Sequence, residues 1–185
     1  LVARTLQPIL YAYQKLSKFE GQHLYISADI GDPQQVQDAV TQSLERYGRI
    51  DVLVNNAGVF PYGPIENLPE KEISDAINTN FRGPVNLYRA LIPHFKQQGK
   101  GTVIDVISLA AFRAYGGNAV YGGTKYAHRA TSLSEEVDNP FLDIYRLYPS
   151  VTDTPLVREN LNPAKREIFV KGQSRINPDD IGELV

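Results

Sequence analysis

The sequence contains no cysteine, and this absence excludes several kinds of functional site. Without thiols the chain has no disulfide framework and no thiolate nucleophile, and a metal site would depend on histidines or carboxylates alone. The three histidines, His23, His94 and His128, show none of the spacings typical of metal ligands. No metal site is therefore predicted.

The sequence also lacks long apolar runs and an excess of charge of one sign. No segment approaches the ~18 consecutive apolar residues of a membrane-spanning helix, and no leader of the secretory type opens the sequence. Nineteen Lys and Arg residues against 21 Asp and Glu residues give a net charge of −2, which favours neither nucleic acid nor an anionic membrane as a partner. We expect a cytoplasmic protein that binds a small molecule.

Methionine is absent too, and the sequence begins at Leu1. Because an initiated polypeptide starts with Met, we expect this chain to be a fragment, incomplete at its N-terminus and its C-terminus. Its 185 residues suit a single domain. Its content of 42% apolar and 22% charged residues is typical of a globular protein that folds.

Short apolar runs alternate with longer segments of helical period, and this alternation predicts β-α-β units around a parallel sheet. Strands are predicted at residues 1–3, 23–28, 50–54, 103–107 and 142–147. Helices are predicted at residues 5–19, 33–47, 70–98 and 120–136, and a last helix opens at residue 177. The predicted fold class is α/β: a single Rossmann-like domain with a doubly wound parallel sheet.

Local signals mark two of these helices. Asp32 is a good N-cap for the helix at 33–47, Gln35 completes a capping box, and Gly48 ends the helix. In the helix at 70–98, Gly83 and Pro84 predict a distortion midway along its length.

Ligands of doubly wound sheets collect beyond the carboxyl ends of the strands, where three polar groups of residues occur. The first is the turn Asn55-Asn56-Ala57-Gly58, directly after a predicted strand. Gly58 permits close backbone approach, and Asn side chains can bridge neighbouring strand ends as donor and acceptor. Taken alone, an ordinary polar turn explains these residues equally well.

The second group is Ser108, Tyr121 and Lys125. Tyr121 and Lys125 are four residues apart on a predicted helix, so both side chains leave the same face. An ammonium group beside a phenol favours the phenolate, so we expect the pKa of Tyr121 to lie below that of free tyrosine and Tyr121 to act as an acid or base. Ser108, at the end of a strand, can hydrogen-bond a substrate oxygen. Such a Tyr and Lys pair also occurs by chance.

The third group is the segment 149–155, Pro-Ser-Val-Thr-Asp-Thr-Pro. One interpretation is a Pro-rich connection. The other is a set of backbone donors that, with the Thr154 hydroxyl, binds a flat polar ring such as nicotinamide.

The joint order and spacing of the three groups resembles the short-chain dehydrogenase/reductase family in its single-domain form, over practically the whole chain. The resemblance implies that residues 1–185 form an NAD(P)-binding catalytic domain that transfers a hydride between nicotinamide and a carbonyl or secondary alcohol. It implies Tyr121 as the acid/base, Lys125 as the group that lowers its pKa and holds the ribose, Ser108 as the group that polarises the carbonyl, and Asn80 as the helix-kinking residue that anchors a water. It implies these cofactor-binding residues: Asp29, Ile30, Asn55, Ala57, Gly58, Tyr121, Lys125, Pro149, Ser150 and Thr154. It also implies a homo-oligomer, a dimer or tetramer, when the protein is complete.

Departures from the family pattern occur at three places. The Gly-rich turn that cradles the pyrophosphate has no counterpart, and the resemblance implies that ~40 upstream residues are absent, with a strand between those ending at Val2 and Val54. Ser150 stands where the family usually has Gly. Asp105 stands where it often has Asn.

The residues after the first strand bear on the cofactor. Val2-Ala3-Arg4 contains no acid to bind a ribose 2′-hydroxyl, and Arg4 can pair with a 2′-phosphate, which predicts NADP(H) with NAD(H) as a further possibility. A solvated surface Arg is the alternative.

Two other functions remain open from the sequence. They are a non-catalytic dinucleotide-binding sensor or scaffold and an inactive truncated fragment. The substrate is not specified by any motif, although Phe112, Tyr115, Leu161 and Phe169 suggest a partly hydrophobic molecule.

Overall fold

Every strand pairing in the structure is parallel, as the alternation of strands and helices predicts. The structure is a computed structural model that describes residues 1–5, 10, 13, 14, 21–152, 154, 156, 178 and 179. The strands are β1 (Val2–Ala3), β2 (Ile26–Ser27), β3 (Val52–Asn55), β4 (Gly101–Val106) and β5 (Leu142–Leu147). The helices are α1 (Pro33–Tyr47), α2 (Glu70–Ile77), α3 (Gly83–Gln98) and α4 (Ala119–Asp138).

The five strands form two sheets over the described residues, where a single sheet was predicted. β1 pairs with β2, and a second sheet has the order β3-β4-β5, in which Leu53 lies opposite Val103 and Val103 opposite Ile144. The Rossmann-like α/β fold class is confirmed. The further strand that the resemblance implies between β1 and β3 stays a prediction.

Most predicted boundaries agree with the structure to within two residues. The strand at 142–147 matches β5 at both ends, and the helix at 120–136 is extended to Ala119–Asp138. The strand predicted at 23–28 is shorter, only Ile26–Ser27, because the one partner of β2 in the described part of the chain is β1, which is itself two residues long. The helices predicted at 5–19 and from 177 lie almost wholly outside the described residues.

The core lies where α1 and α3 cover the sheet β3-β4-β5. Its buried apolar residues are Val40, Leu53, Tyr88, Leu91, Phe95, Val103, Leu142 and Ile144. β4 begins at a glycine because the Phe95 ring packs on the backbone of Gly101. A Cβ at this position would lie 2.3 Å from Phe95 Cγ. The parallel register pairs Asn55 with Asp105 and Val106 with Leu147, so the residues that follow β3, β4 and β5 share one edge of the sheet.

Capping of α1 follows the prediction with one difference. Asp32 Oδ1 accepts from the N–H groups of Gln34 and Gln35, and Gly48 ends the helix in the left-handed conformation, with φ 77°. The predicted capping box is wrong in its second half. Gln35 Oε1 accepts from the N–H of Asp29 at 2.9 Å, since the N–H of Asp32 already donates to the Asp29 carbonyl. Gln35 therefore secures the turn after β2.

The predicted distortion of the long helix is present, one turn earlier than expected. A π-helical turn at Asn78–Arg82 separates α2 from α3. Pro84 has no N–H to donate to the carbonyl four residues earlier, so the regular helix restarts at Gly83. Gly83 is required there because a Cβ would lie 2.4 Å from Ile30 Cδ1.

None of the helices in the described part of the chain is long and apolar enough to cross a membrane.

Candidate active site

A cavity of about 570 Å³ opens at the carboxyl ends of β3, β4 and β5. It contains all three polar groups that the sequence singles out. Among its lining residues are Asn56, Gly58, Phe60, Ser108, Tyr115, Tyr121, Lys125, Pro149, Ser150 and Thr154. The structure therefore brings the predicted catalytic triplet together with Asn56, Gly58 and the segment after β5, whereas Arg4, Asp29 and Ile30 do not line this cavity.

Ser108 follows β4 and begins a short 3₁₀ turn, Leu109–Ala111. Its Oγ accepts from the N–H of Ala110 at 3.1 Å, which fixes the side chain. The hydroxyl hydrogen remains able to donate, because the N–H of Ala110 uses only a lone pair of the oxygen. Ser108 can thus offer a hydrogen bond to an oxygen atom in the cavity.

Tyr121 lies in the first turn of α4, with its ring edge-on to Phe60 at a centroid distance of 4.8 Å. Burial raises the pKa of Tyr121, and a hydrogen bond with Ser108 opposes this only in part. The sequence-based expectation of a lowered pKa is therefore wrong for this structure. The physical reason is the burial of the phenol. Lys125 Nζ lies 5.8 Å from the centre of the Tyr121 ring and donates to a backbone carbonyl instead. Tyr121 is a protonated phenol at neutral pH.

Lys125 is one turn further along α4 and is only 4% exposed. Its Nζ donates to the carbonyl of Val106 at 3.3 Å, which leaves two of the three ammonium donors without a partner in the described part of the chain. Burial lowers the pKa of Lys125 to about 8, and the charge of Asp105 opposes this shift. Lys125 is thus a buried cation with donors available to a ligand.

Asn80 lies in the π-helical turn and is fully buried. Its Oδ1 accepts from the N–H of Val59, and its Nδ2 donates to the Val59 carbonyl, both at 2.8 Å. Nδ2 also lies 3.1 Å from Thr124 Oγ1, between Tyr121 and Lys125 on α4. The Asn80 side chain therefore clamps the segment after β3 to α4. The implied role of Asn80 in anchoring a water stays a prediction.

The Asn55–Gly58 turn combines a buried anchor with an accessible glycine. Asn55 Nδ2 donates to Asp105 Oδ1 at 2.7 Å and so bridges β3 and β4, as the sequence predicts. Asn55 is 4% exposed, whereas Ala57 is exposed. A Cβ on Gly58 would lie 3.9 Å from Lys125 Nζ. The missing side chain leaves space directly beside the buried ammonium.

The segment after β5 lines the opposite side of the cavity. The Pro149 carbonyl accepts from the N–H of Leu109 at 3.0 Å, which ties this segment to the Ser108 turn. The Ser150 carbonyl accepts from Thr152 Oγ1 at 3.1 Å. Asp153 and Pro155 lie outside the described residues. The contacts of Ser150 and Thr154 with a nicotinamide stay predictions.

Arg4 and the predicted cofactor-binding residues Asp29 and Ile30 lie together at the ends of β1 and β2. The family resemblance implies that Asp29 contacts the adenine, so we name this place the adenosine end. Arg4 Nη1 lies 3.9 Å from Asp29 Oδ2, with 42% and 39% of the two side chains exposed. The other carboxylate oxygen of Asp29 accepts from the N–H of Gly31 at 2.8 Å. The Ile30 side chain is buried against Gly83, and its carbonyl accepts from Asn86 Nδ2 at 2.8 Å. Only the backbone of Ile30 is left for a ligand.

The sequence analysis did not predict a group of buried polar side chains that lies between β4 and α4, near Lys125. Asp105, which is fully buried, contacts Tyr88, His128 and Asn55. One signal was available: Lys125 and His128 are three residues apart on one helix, so they share a face. Another was the acid at Asp105 in a strand that is otherwise apolar.

The residues that line this cavity have the chemistry needed to bind a nicotinamide dinucleotide. Lys125 has spare donors beside the bare backbone of Gly58, a combination suited to sugar hydroxyl groups. Polar backbone and the Ser108 hydroxyl face the same cavity. Within the described ranges no group of three or more histidines or acids is placed to hold a metal ion.

Comparison with known proteins agrees with this reading of the fold. The family model for short chain dehydrogenase matches residues 1–165. An uncharacterized oxidoreductase of Listeria monocytogenes is 29% identical over 192 aligned residues, which cover 100% of this chain and 77% of the relative.

Solved structures show the same similarity. An alcohol dehydrogenase of the archaeon Thermococcus sibiricus superposes with a TM-score of 0.85 at 26% identity, covering 100% of this chain and 76% of that one. A 3-ketoacyl-(acyl-carrier-protein) reductase of Brucella melitensis superposes with a TM-score of 0.82 at 27% identity, covering 94% and 73%. The chain belongs to the short-chain dehydrogenase family and is an oxidoreductase of that family.

Proposed function

We propose that the protein is an NADP(H)-dependent reductase or dehydrogenase that interconverts a carbonyl and a secondary alcohol, with Tyr121 as the acid/base. The observation that carries the proposal is the single cavity onto which Ser108, Tyr121 and Lys125 all open, beside Gly58. A proton donor, a second hydroxyl and a cation around one space are the groups that carbonyl reduction requires of a protein.

In the direction of reduction, the Ser108 hydroxyl donates a hydrogen bond to the carbonyl oxygen and polarises it. The Tyr121 phenol gives its proton to the same oxygen as negative charge develops there. The raised pKa of Tyr121 ensures that this proton is present at neutral pH. A bound nicotinamide dinucleotide supplies or accepts the hydride.

Lys125 and the residues around it position the reaction. The two spare Nζ donors bind sugar hydroxyls, and the ammonium stabilises negative charge on the phenol after the proton has left. Asn80 holds α4 against the segment after β3, which helps to keep Tyr121 at its distance from Ser108. The Phe60 ring excludes water from one side of the phenol.

The preference for NADP(H) rests on Arg4. Its side chain is 42% exposed, and the one ion pair that it makes among the described residues is a long contact with Asp29, so it can turn to a 2′-phosphate at little energetic cost. Solved relatives are consistent with a nicotinamide dinucleotide of either kind. The Thermococcus sibiricus enzyme is complexed with 5-hydroxy-NADP, and the Brucella melitensis enzyme is complexed with NADH.

Aromatic side chains suggest a partly apolar substrate. Phe60 and Tyr115 line the cavity, whereas Phe112 packs under Arg129 at 4.3 Å and against Tyr148. Leu161 and Phe169 lie outside the described residues. A single catalytic domain over residues 1–185, a homo-oligomeric state and a cytoplasmic location belong to the same proposal.

The experiment that tests this function is a screen of the full-length protein with NADPH against a panel of ketones and aldehydes, in parallel with a direct measurement of NADPH binding. We expect both binding and oxidation of NADPH with at least one apolar carbonyl. Tight NADPH binding without turnover on any carbonyl or alcohol would favour the non-catalytic sensor or scaffold instead.

A further inference from the structure

Asn118 is a buried polar residue in the wall of the cavity. It is 5% exposed, and in the described part of the chain it and Lys125 are the two buried polar residues that line the cavity. Lys125 is assigned above to the sugar of the cofactor and to the support of Tyr121. No step of the proposed reaction uses the amide of Asn118. The candidate active site therefore contains a buried amide that proton and hydride transfer do not require.

The backbone of Asn118 is fixed by hydrogen bonds. Its N–H donates to the carbonyl of Tyr115 at 3.1 Å, and its carbonyl accepts from the N–H of Gly122 at 2.7 Å. The preceding residue, Gly117, has a φ of 73°, in the left-handed region, and its carbonyl accepts from the N–H of Gly63 at 2.9 Å. These bonds hold the loop that leads into α4, so the Asn118 side chain leaves the backbone from a fixed position.

The amide of Asn118 does not cap α4. Asn118 occupies the N-cap position, where an Asn side chain usually accepts from the N–H two or three residues further on. Here it makes no capping hydrogen bond. Its Oδ1 is buried and has no hydrogen-bond partner among the described residues. A buried acceptor without a partner costs free energy, and a ligand that donates to it removes this penalty.

Asn118 is one helical turn from the proposed proton donor. It precedes Tyr121 by three residues, and residues at this spacing are neighbours, with Cβ atoms about 5–6 Å apart. In the proposed reaction Tyr121 and Ser108 hold the oxygen of the substrate carbonyl. A substrate group that meets the Asn118 amide therefore lies only a few bonds from the reacting carbon.

A hydroxyl group is the partner that suits this amide. Half a turn about the Cβ–Cγ bond exchanges Oδ1 and Nδ2 of Asn118, so either end of the amide can face a ligand. A hydroxyl donates to the oxygen and accepts from the NH₂ group, so it can bind both ends. An ether or a second carbonyl only accepts, which would leave the amide oxygen without a partner. The unpaired Oδ1 therefore favours a hydroxyl over these groups.

Much of the remaining wall of the cavity is apolar. Phe60, Leu109, Val151 and Leu156 line it. The hydroxyl of Thr152, another lining residue, already donates to the Ser150 carbonyl at 3.1 Å. A substrate hydroxyl that loses its water in this cavity needs a partner there, because burying an unpaired hydroxyl is unfavourable. The apolar surfaces suit an apolar remainder of the same molecule.

We propose that the substrate is a hydroxy ketone with an otherwise apolar skeleton, and that Asn118 selects it by binding a hydroxyl one or two carbons from the carbonyl. The proposal rests on the proposed function, in which Ser108 and Tyr121 hold the carbonyl oxygen. Reduction adds a hydride from NADPH to the carbonyl carbon and the Tyr121 proton to its oxygen. The products are NADP⁺ and a diol, and the hydroxyl at Asn118 is unchanged.

Three matched ketones test this specificity in the full-length protein with NADPH. They are 2-hydroxyacetophenone, propiophenone, which has a methyl group in place of the hydroxyl, and 2-methoxyacetophenone, which keeps the electron-withdrawing oxygen and loses the donor. We expect kcat/KM for the hydroxy ketone to exceed that for each of the others by about tenfold, the usual effect of pairing a buried acceptor.

Asn118→Leu removes the amide and nearly keeps the size of the side chain. The preference for the hydroxy ketone should fall by about tenfold in this variant, because the hydroxyl has lost its partner. The affinity for NADPH should stay the same, since the proposal gives Asn118 no contact with the cofactor. Asn56→Leu is the matched control: Asn56 lines the same cavity but is exposed, and its variant should keep the preference.

Unfolding of the cofactor-free protein separates this role from a structural one. Asn118→Leu should not lower Tm, because the amide oxygen that it removes has no partner. Asn86→Leu is the contrast. Asn86 is 8% exposed, and its Nδ2 donates to the Ile30 carbonyl at 2.8 Å, so this variant should lower Tm markedly. Asn118→Ala and Asn86→Ala give the same comparison with a side chain that cannot clash.

Binding of alcohols tests the hydroxyl contact without any reaction, since an alcohol and NADPH cannot react with each other. In calorimetric titrations of the wild type, with and without NADPH, 1-phenyl-1,2-ethanediol should bind about tenfold more tightly than 1-phenyl-1-propanol. This difference should disappear in N118L. Absence of turnover on every carbonyl, with the difference in binding intact, would remove the proposed function and leave the hydroxyl contact in place.

The opposite outcome separates the two proposals in the other direction. Turnover of the three ketones with the same ratios of kcat/KM in wild type and N118L, or equal binding of the two alcohols to the wild type, would overturn the role of Asn118 and leave the proposed function intact. A loss of NADPH affinity in N118L as large as the loss of preference would assign the amide to the cofactor instead. A fall in Tm of both Asn118 variants as large as that of the Asn86 variants would assign it to the fold.

Discussion

Two acidic residues at opposite ends of the site face basic partners in very different surroundings. At the adenosine end, Asp29 lies 3.9 Å from Arg4, and both side chains are about two-fifths exposed, 39% and 42%. At the catalytic end, Asp105 lies 3.1 Å from His128, with 0% and 2% exposed. The first pair is solvated and can exchange one partner for a ligand. The second pair is desolvated, so the charge of Asp105 acts strongly on the ionisable groups around it.

We expect the adenosine end and the catalytic end of the site to have different tasks. Exposed pairs contribute little to stability because water and salt screen them, but they select ligands by charge. Buried charges cost free energy unless compensated, so they constrain the pKa values of their neighbours. We expect changes at the catalytic end to alter rate and pH dependence, and changes at the adenosine end to alter the choice of cofactor.

The largest effect is expected at Tyr121. In the full-length protein, Tyr121→Phe should lower turnover by about 10²–10⁴-fold, the usual contribution of general acid–base catalysis. NADPH affinity should remain nearly unchanged, because Phe keeps the ring that packs against Phe60. Steady-state rates with a binding titration give both numbers.

Tyr115→Phe is the matched control for this variant. Tyr115 lines the same cavity, so this change also removes a phenol hydroxyl from its wall. A comparable loss of turnover in both variants would show that Tyr121 has no special role as proton donor.

The next largest effect concerns Lys125 and pH. Burial lowers its pKa from 10.5 to about 8. Between these values the unfolded chain holds a proton that the folded chain has lost, so folding stability rises with pH. The gain is about 2 kcal/mol between roughly pH 7 and pH 9.5. Urea unfolding of the cofactor-free protein across this range measures it.

Lys125→Met should abolish that rise. The measurement stays below about pH 10 because the raised pKa values of Tyr88 and Tyr121 produce the opposite trend above it. The same slope in wild type and K125M would mean that Lys125 titrates normally and is not desolvated.

At the adenosine end the expected effect is smaller and selective. Arg4→Ala should weaken NADPH binding about tenfold, or about 1.4 kcal/mol, and change NADH binding little, since only NADPH carries the 2′-phosphate. Arg49→Ala is the control, as it removes an exposed guanidinium that pairs with Asp51 instead. Equal losses for the two cofactors would exclude Arg4 as the residue that distinguishes them.

The smallest effect is expected from Asp29→Asn on stability. The carboxylate's long contact with Arg4 is exposed, and an amide oxygen can still accept from the N–H of Gly31. We expect the unfolding free energy to change by less than about 0.5 kcal/mol. A loss of several kcal/mol would show that the exposed and buried pairs are not as different as their exposure indicates.

Much of the fold was accessible from the sequence because its signals are local. Asp32 and Gly48 specify the ends of α1 through their own side chain and backbone, without any help from the rest of the chain. β5 was predicted to the residue because apolar residues recur along Leu142–Leu147 between turn signals, Asn139-Pro140 before the strand and Pro149 after it. The length of β2 was not predictable, since a strand extends only as far as its partner, and β1 is short.

The identities of the residues at the candidate site could be predicted from the sequence, but the shifts in their pKa values could not. The spacing of Tyr121 and Lys125 places both on one helix face. It shows neither that the Tyr121 phenol is buried, which raises its pKa, nor that Lys125 Nζ donates to the Val106 carbonyl. The buried contacts of Asp105 with Tyr88 and Asn55 join residues 17 and 50 positions apart, so no local pattern reveals them.

The most direct test of the central claim is isotope transfer. Full-length protein is incubated with NADPH carrying deuterium at C4 of the nicotinamide and with the best carbonyl from the panel, and the alcohol is analysed by mass spectrometry and NMR. The account predicts deuterium on the carbinol carbon in wild type, and in the Tyr121→Phe variant the same label at a rate lower by about two orders of magnitude or more. Alcohol formed without deuterium at that carbon, or label transfer at the wild-type rate in the variant, would contradict it.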